Sequence, residues 1–517
     1  MKKIIGLVMV CILLVITFNS VIAADLYGEI RTESDVELFL PDTIDREIAM
    51  LRGHTERVVA SEKGLNTMLY RNNNNTYTQY VFDYPVKYID ANGQIKDVDL
   101  KIREASDSFI AEEGNYNAIF NKSLNKGIVL CSNDVTLEMY PYNSTEKDNI
   151  AKVDLSKQTG KLVNDKTISY FADNKTSFEY SLTYTGIKED IVVSEYTGET
   201  KYSFILKTNG LKLTNQDGRL SIKDEKENML AFLGEVIVFT SDEKNNCFGS
   251  MTYDTIKENE IYLVNIHVDK NFLSDENTKY PIKIDPSIEI NYFGSGMGAI
   301  EDITINSSGT SSGTSGSLYI GKRSGTGIAR TLMKFPGLDM SGIASSDRIT
   351  NATVEIRDLM CESTMMTVDC NIFAGNEWNE NSASWQNVDP NYYTGPISSC
   401  EVSYSNGTKQ SPNHRYKFDI TSAVKSWKNG FYTQSKGIMF KATSEVESDS
   451  AVLCKTFASY NRSDYRPSLS VTYLADEDLP YGWFDWTEPS IKGWVWNQNN
   501  PNYAYNIKYT GFTQIIG

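Results

Sequence analysis

The chain is written in a two-residue period. Tyr80, Phe82 and Tyr84 alternate with polar residues. Ala352, Val354 and Ile356 alternate with Thr353, Glu355 and Arg357, and Leu469, Val471 and Tyr473 with Ser468, Ser470 and Thr472. Successive side chains of a strand leave on opposite faces, so such a segment buries one face and wets the other. Val86 and Tyr88, then Asp90-Ala91-Asn92-Gly93, then Ile95 and Val98 predict a hairpin around a tight turn. Short strands of this kind recur up to Ile284 with Asn, Asp and Gly turns between them, and helical periodicity is almost absent there. Many evenly spaced strands imply sandwiches or barrels. Two segments differ. Residues 25–62 read as partly helical, with Asp42 or Thr43 as a cap. Asp419 to Asn429 reads as a short helix with Ile420, Val424 and Trp427 on one face and Gly430 as its stop.

Residues 1–23 read as a secretory signal peptide: Lys2 and Lys3, an apolar run from Ile4 to Phe18, then Val21-Ile22-Ala23. No second long apolar run follows, so a secreted chain without a stable membrane anchor is expected. The remainder is too long for one core, and roughly three domains are expected. Tyr280-Pro281 through Asp285-Pro286 marks a boundary, because proline restricts the chain on both sides. The expected division is residues 24–287, one or two β-rich domains; 288–474, a second β region; and 475–517, an extension holding Trp483, Trp486, Trp494 and Trp496. The Ser/Gly/Thr stretch from Asn306 to Ser317 has strands on both sides and reads as a loop within a domain. A net charge of −17 argues against nucleic acid as a partner. Six cysteines outside the signal peptide lack metal-ligand spacing, and export would permit disulfides among them.

Residues 288–474 resemble the DNRLRE modules, relatives of disaggregatase repeats that are grouped among carbohydrate-binding modules. The pieces that carry the resemblance are, in order, Ser317-Leu318-Tyr319-Ile320-Gly321, Arg330 to Phe335, Ile349 to Ile356, Trp378 to Trp385, Tyr416 to Trp427 and Arg466 to Tyr473. Residues 24–287 resemble the region that precedes such modules in wall-associated proteins of Gram-positive bacteria, some of which continue into Rhs-type repeats. The resemblance implies a jelly-roll β-sandwich, extracellular placement with possible attachment to the cell wall, and binding of polysaccharide or cell-wall glycan. The expected fold class is all-β, multi-domain, with a C-terminal jelly-roll sandwich.

Sugar recognition needs flat apolar faces and hydrogen-bonding groups beside them. Trp378 and Trp385 sit in a polar stretch with Asn376, Asn379 and Asn387, which suits either a sugar surface or two rings packed on the sandwich with asparagine turns around them. Tyr392 and Tyr393, beside Pro390 and Asn391, are candidates for exposed stacking rings. Lys322, Arg323, Arg330 and Lys334 form the densest basic group, which serves either an acidic polysaccharide or a solvated strand face. Trp427 reads as core. Jelly-roll sugar binders often hold a structural Ca2+, for which Glu301 and Asp302 are the candidate oxygens. No nucleophile or metal-hydrolase motif is present, and His54, His267 and His414 are scattered, so no enzymatic activity is expected. The competing expectation is a structural or adhesive surface protein, or a truncated Rhs-type wall protein, that binds a protein partner.

Overall fold

A computed structural model describes residues 53–474 apart from 133–134, 143–158, 173–174, 217–218, 243–244, 291–297, 310, 313–315, 360–363, 381, 403, 406–407, 410–414 and 460–465. The expected signal peptide, most of the segment expected to be partly helical, and the Trp-rich extension lie outside the described residues. What is described is mostly β. The residues from Glu56 onward belong to one unit.

The C-terminal part is a two-sheet antiparallel sandwich. Its strands are β1 (Thr67–Asn72), β2 (Tyr77–Phe82), β3 (Glu301–Asn306), β4 (Ser317–Arg323), β5 (Gly327–Lys334), β6 (Ile349–Arg357), β7 (Met366–Phe373), β8 (Tyr393–Val402), β9 (Arg415–Asp419), β10 (Ile438–Ala442), β11 (Cys454–Ala458) and β12 (Ser468–Tyr473). The first sheet includes β1-β2-β12-β6-β9 side by side, and the second β3-β5-β10-β7-β8, with β4 joined to β5 and β11. Register explains the alternation. Val81, Leu469, Val354 and Phe418 form one row across the first sheet, each fully buried. Met333, Ile438 and Ile372 form a row across the second. These rows meet in a single core, where the Phe418 and Phe440 rings touch edge to face at 5.0 Å. The helices are α1 (Trp385–Val388), α2 (Thr421–Lys428) and α3 (Ser444–Ser448). In α2, Asp419 Oδ1 accepts the Thr421 N–H at 2.8 Å, Val424 and Trp427 enter the core, and Gly430 follows with φ 76°.

Strand pairing links the chain on the two sides of residue 288 in both directions. The β1–β2 hairpin extends the first sheet, because β2 pairs with β12 from Tyr77↔Tyr473 to Phe82↔Ser468. In the other direction, Ile288–Ile290 pairs with Gly186–Ile187 and with Ala231–Leu233 of the preceding region. Gly186 is needed there: a Cβ would lie 1.9 Å from the Ile288 carbonyl oxygen. That preceding region holds two large antiparallel sheets, one spanning residues 103–267 and one 161–290. The hairpin expected around Asp90 forms between Lys87–Ile89 and Ile95–Asp97, with Asp90 Oδ1 accepting the Asn92 and Gln94 N–H groups. Cys131, Cys247, Cys370 and Cys400 form no disulfide, and Cys361 lies outside the described residues.

One buried guanidinium joins these parts. Arg466, just before β12, donates from Nη2 to Glu289 Oε2 at 2.9 Å and to Thr185 Oγ1 at 3.3 Å, and its Nη1 lies 3.9 Å from Asp83 Oδ2. Arg466, Glu289 and Asp83 are all buried. Removing one member of such a group strands the others without water. Arg466→Met is expected to lower the unfolding free energy by about 3–5 kcal/mol, read by urea denaturation of the full chain. A loss no larger than that of an average surface substitution would mean the guanidinium is not the tie.

A second buried acid makes stability pH-dependent. Burial pushes Glu189 up to about 8, with Asp190 and Asp285 adding repulsion and the Tyr180 hydroxyl opposing them by donating at 2.7 Å. The unfolded carboxyl titrates near 4.5, so the folded state holds the extra proton between these two values. This group's contribution therefore falls as pH rises from 4.5 to 8. Glu189→Gln keeps the neutral shape. The gap in melting temperature between Glu189→Gln and the parent should widen in favour of the variant from pH 5 to pH 8; a gap independent of pH would contradict this.

Candidate carbohydrate-binding surface

The outer face of the second sheet is where the sequence-selected aromatic and basic residues meet. Ile303 and Ile305 of β3, Leu332 of β5, Phe373 of β7 and Met439 of β10 point away from the main core. An apolar outer face needs a cover, and residues 374–392 supply it. This strap lays Trp378, Ala383 and Val388 on the sheet to make a second core, with Trp385 and Tyr393 packed at its margin. Its polar residues hold it closed. Asn387 Oδ1 accepts the Ser384 N–H at 2.8 Å, Asn387 Nδ2 donates to the Ser382 carbonyl, and Asn376 Nδ2 donates to the Asn387 carbonyl. Asn376 and Asn387 thus spend amide hydrogen bonds within the strap.

The basic residues of β5 face this strap. The Lys334 ammonium stands 4.4 Å from the Trp378 ring centre, donates to the Trp378 carbonyl at 3.0 Å and pairs with Glu301 at 2.9 Å. Trp378 is 6% exposed and its indole N–H donates to the Lys436 carbonyl. Arg330 is 5% exposed. It grips Glu447 of α3 through two bonds, Nε to Oε1 at 2.9 Å and Nη2 to Oε2 at 2.7 Å, while Nη1 donates to the Pro390 carbonyl at 2.6 Å. Its guanidinium lies 5.0 Å from the Trp385 ring and 5.4 Å from the Tyr393 ring. Trp378, Arg330 and Lys334, expected to meet a glycan, therefore spend these polar and π contacts inside the protein. Lys441 completes the buried ionic group 3.8 Å from Glu447; burial pulls its pKa down and Arg330 adds to the effect, against the attraction of Glu447.

The residues left facing solvent are fewer. Tyr392 is 65% exposed, and Trp385, Tyr393, Lys322 and Arg323 are half-buried. The Asn391 Oδ1 lies 3.4 Å from Arg330 Nη1, and Gln386 borders Gly309. The Arg330 hub thus has the half-buried Trp385 and Tyr393 rings and the Asn391 amide around it, and the exposed Tyr392 lies between Asn391 and Tyr393 in the chain. A ring face beside amides is the chemistry that binds a sugar's C–H face and its hydroxyls. Lys322 and Arg323 lie on β4, where Lys322 donates to the Asp449 carbonyl and Arg323 stacks 3.6 Å from the Tyr319 ring. Neither Gln386 nor the Glu447–Lys441 group was found from sequence. Glu447 lies 117 residues from the arginine it serves, and no local pattern marks it.

The Ca2+ expectation does not fit the residues present. Glu301 and Asp302 are successive strand residues and leave on opposite faces. Glu301 is paired with Lys334, and Asp302 accepts the Ser459 hydroxyl at 2.6 Å. Among the described residues no group of three or more His, Cys, Asp or Glu side chains gathers to hold a metal.

Arg330→Met should cost about 3–5 kcal/mol of stability by leaving Glu447 with only Lys441 beside it, and Arg330→Met/Glu447→Leu/Lys441→Met, which removes the whole ionic group, should recover most of it. Denaturant unfolding of both variants checks this; equal losses in the single and triple variants would remove the group from its structural role.

Residues 295–473 match the model of carbohydrate-binding module family 96. The chain is 24% identical over 466 residues to the tRNA3(Ser)-specific nuclease WapA of Bacillus spizizenii, and by the same measure to the tRNA(Glu)-specific nuclease WapA and the tRNA nuclease WapA of Bacillus subtilis. Each alignment takes in 85% of this chain and 18% of the relative, so the chain spans less than a fifth of their length. Among solved structures, the N-terminal domain of a Streptococcus gordonii adhesin covers 79% of this chain at 8% identity with a TM-score of 0.15, which carries no argument. Residues 295–473, from just before β3 to the end of β12, are thus a stretch that matches a carbohydrate-binding module.

Proposed function

We propose that this is an exported, non-catalytic protein that attaches to polysaccharide or cell-wall glycan through the sandwich of residues 295–473. The observation that carries the reading is the Arg330 hub, where the half-buried Trp385 and Tyr393 rings lie near the guanidinium and the exposed Tyr392 follows Asn391 in the chain, on a stretch that matches a carbohydrate-binding module. The strap and the buried Arg330–Glu447 pair hold that hub rigid, which reduces the ordering cost of binding. One weak ring contact per chain suits a surface-bound polymer, where many chains and many sugars meet.

The nuclease activity in the relatives' names is not part of this proposal. Relatives named for two different tRNA targets match this chain to the same extent, which supports placing their target choice outside the shared stretch. The net charge of −17 also opposes a polyanionic substrate. An extracellular site of action follows from the leader-like residues 1–23 and from the glycan ligand. Among the described residues no helix is long and apolar enough to cross a membrane.

The test is adsorption of the full chain to insoluble peptidoglycan sacculi, wall polysaccharide, chitin, cellulose and pectin, with bound and free protein quantified. Binding to at least one is expected, and Tyr392→Ala should weaken it about tenfold, the size of one lost ring contact of roughly 1.5 kcal/mol. Adsorption to none of them would overturn the reading.

A further inference from the structure

A second site lies where the β1–β2 hairpin meets the sandwich. Between the segment running from Val58 into β1 and the loop of Asp339 to Gly342 opens a cleft of about 370 Å³. Pockets that take small ligands run from about 300 to 1,000 Å³.

Its floor contains a residue that breaks the pattern of the strand. Gln79 of β2 shares its face with Tyr77 and Val81, both of them core residues. Its cross-strand neighbours are Leu69 and Val471, also core residues. Every neighbour on that face is apolar or aromatic, yet position 79 carries an amide, only 7% exposed, that lines the cleft. Among the described residues this amide finds no hydrogen-bond partner. Its N and O are not among the fully enclosed side-chain atoms left without a partner, so they are reached from the cleft. Beside it stand the stacked rings of Tyr77 and Tyr473, 6.1 Å apart, with Leu69 and Met68.

The charges around the cleft are already committed. Glu62 accepts from Arg57, Lys87 and the Leu69 N–H. Burial alone would raise its pKa, but these bonds hold it below the ordinary carboxylate range. On the rim, Lys63 pairs with Asp339 at 2.8 Å, which crosses the cleft mouth from the hairpin side to the sandwich. Arg57, Lys87 and Lys63 each have a carboxylate partner, so an anionic ligand meets carboxylates and no uncommitted cation. An uncharged polyol meets an amide that can both donate and accept, the Asp339 carboxylate at the rim, and tyrosine rings for its C–H face.

We propose that this cleft binds one uncharged pyranose unit of a glycan, with the Gln79 amide as its buried hydrogen-bonding group. The inference rests on the reading of the chain as a carbohydrate binder and adds a site outside the Arg330 hub. Nine of its twelve lining residues come from residues 58–79, before the matched module, and the other three from within it, so the site exists only in the assembled chain.

The experiment is a titration of the full chain with the methyl glycosides of glucose, galactose, mannose and N-acetylglucosamine, and with glucuronate and galacturonate. It is followed by saturation-transfer NMR and run beside polymer adsorption of the same protein. Two variants probe the cleft. Gln79→Met removes the amide at similar volume. Gly342→Leu fills the opening: a Cβ there would meet only the Tyr473 hydroxyl, at 3.8 Å. Saturation transfer to at least one neutral glycoside, little or none to the uronates, and at least a tenfold loss in both variants at unchanged melting temperature are expected. Binding that survives both variants, or binding of uronates alone, overturns the cleft proposal and leaves the glycan reading intact. A protein that takes neither glycoside nor polymer overturns both. Should Gln79→Met unfold, Gly342→Leu decides.

Discussion

Arg466 sets the condition the rest of the molecule must meet. Its charge cannot reach water, and its partners come from residues 83, 185 and 289. These lie in the turn after β2, at the start of the strand at Gly186–Val193 and in the strand at Ile288–Ile290. A guanidinium out of water is tolerated only where its partners are fixed in place. So the β1–β2 hairpin, the preceding sheets and β12 must all be in position before that one interaction is satisfied. Dispersed apolar contacts such as those among Ile237, Phe239, Leu359 and Ala458 add area across the same junction without dictating its geometry. The ionic group supplies direction, and the apolar contacts supply most of the driving force.

The same principle recurs on the outer face of the second sheet, with a consequence for ligand recognition. Aromatic rings near cations look like a binding surface in a sequence. Here the cations of β5 and the rings of the strap satisfy one another, at 4.4 Å for Lys334 and Trp378 and 5.0 Å for Arg330 and Trp385. Cation–π contacts gain when desolvated, so they hold the strap onto the apolar outer face. Tyr392 remains outside because it is at the end of the strap, past the αL residue Asp389 that turns the chain back toward β8.

Much of the sandwich was legible because it rests on a local rule. Ala352, Val354 and Ile356 do face the core, as their alternation requires, and α2 begins and ends near the residues its caps indicate. The junctions were not legible. The β1–β2 hairpin pairs with a strand about 390 residues later, as Tyr77↔Tyr473 shows, and alternation says which face of a strand is buried but not which strand lies beside it. The Arg330 site was half legible: the strand pattern placed Arg330, Leu332 and Lys334 on one face. It did not reveal that the face has a cover, because the strap's polar composition reads equally as loop and as ligand surface.

Positions that break the strand pattern carry the most information, and the structure separates them into two kinds. Arg330, Lys441 and Arg466 put charge where burial is complete, and each meets protein partners within the fold. Their exceptions are closed, and their chemistry is structural. Gln79 breaks the same pattern in the row Leu69–Gln79–Val471–Ala352, where every other member is core. Among the described residues its amide meets no hydrogen-bond partner, and it lines a cleft. An amide at such a position, reached from a cleft whose cations already have carboxylate partners, is the exception that stays open, and its chemistry suits an uncharged polar partner.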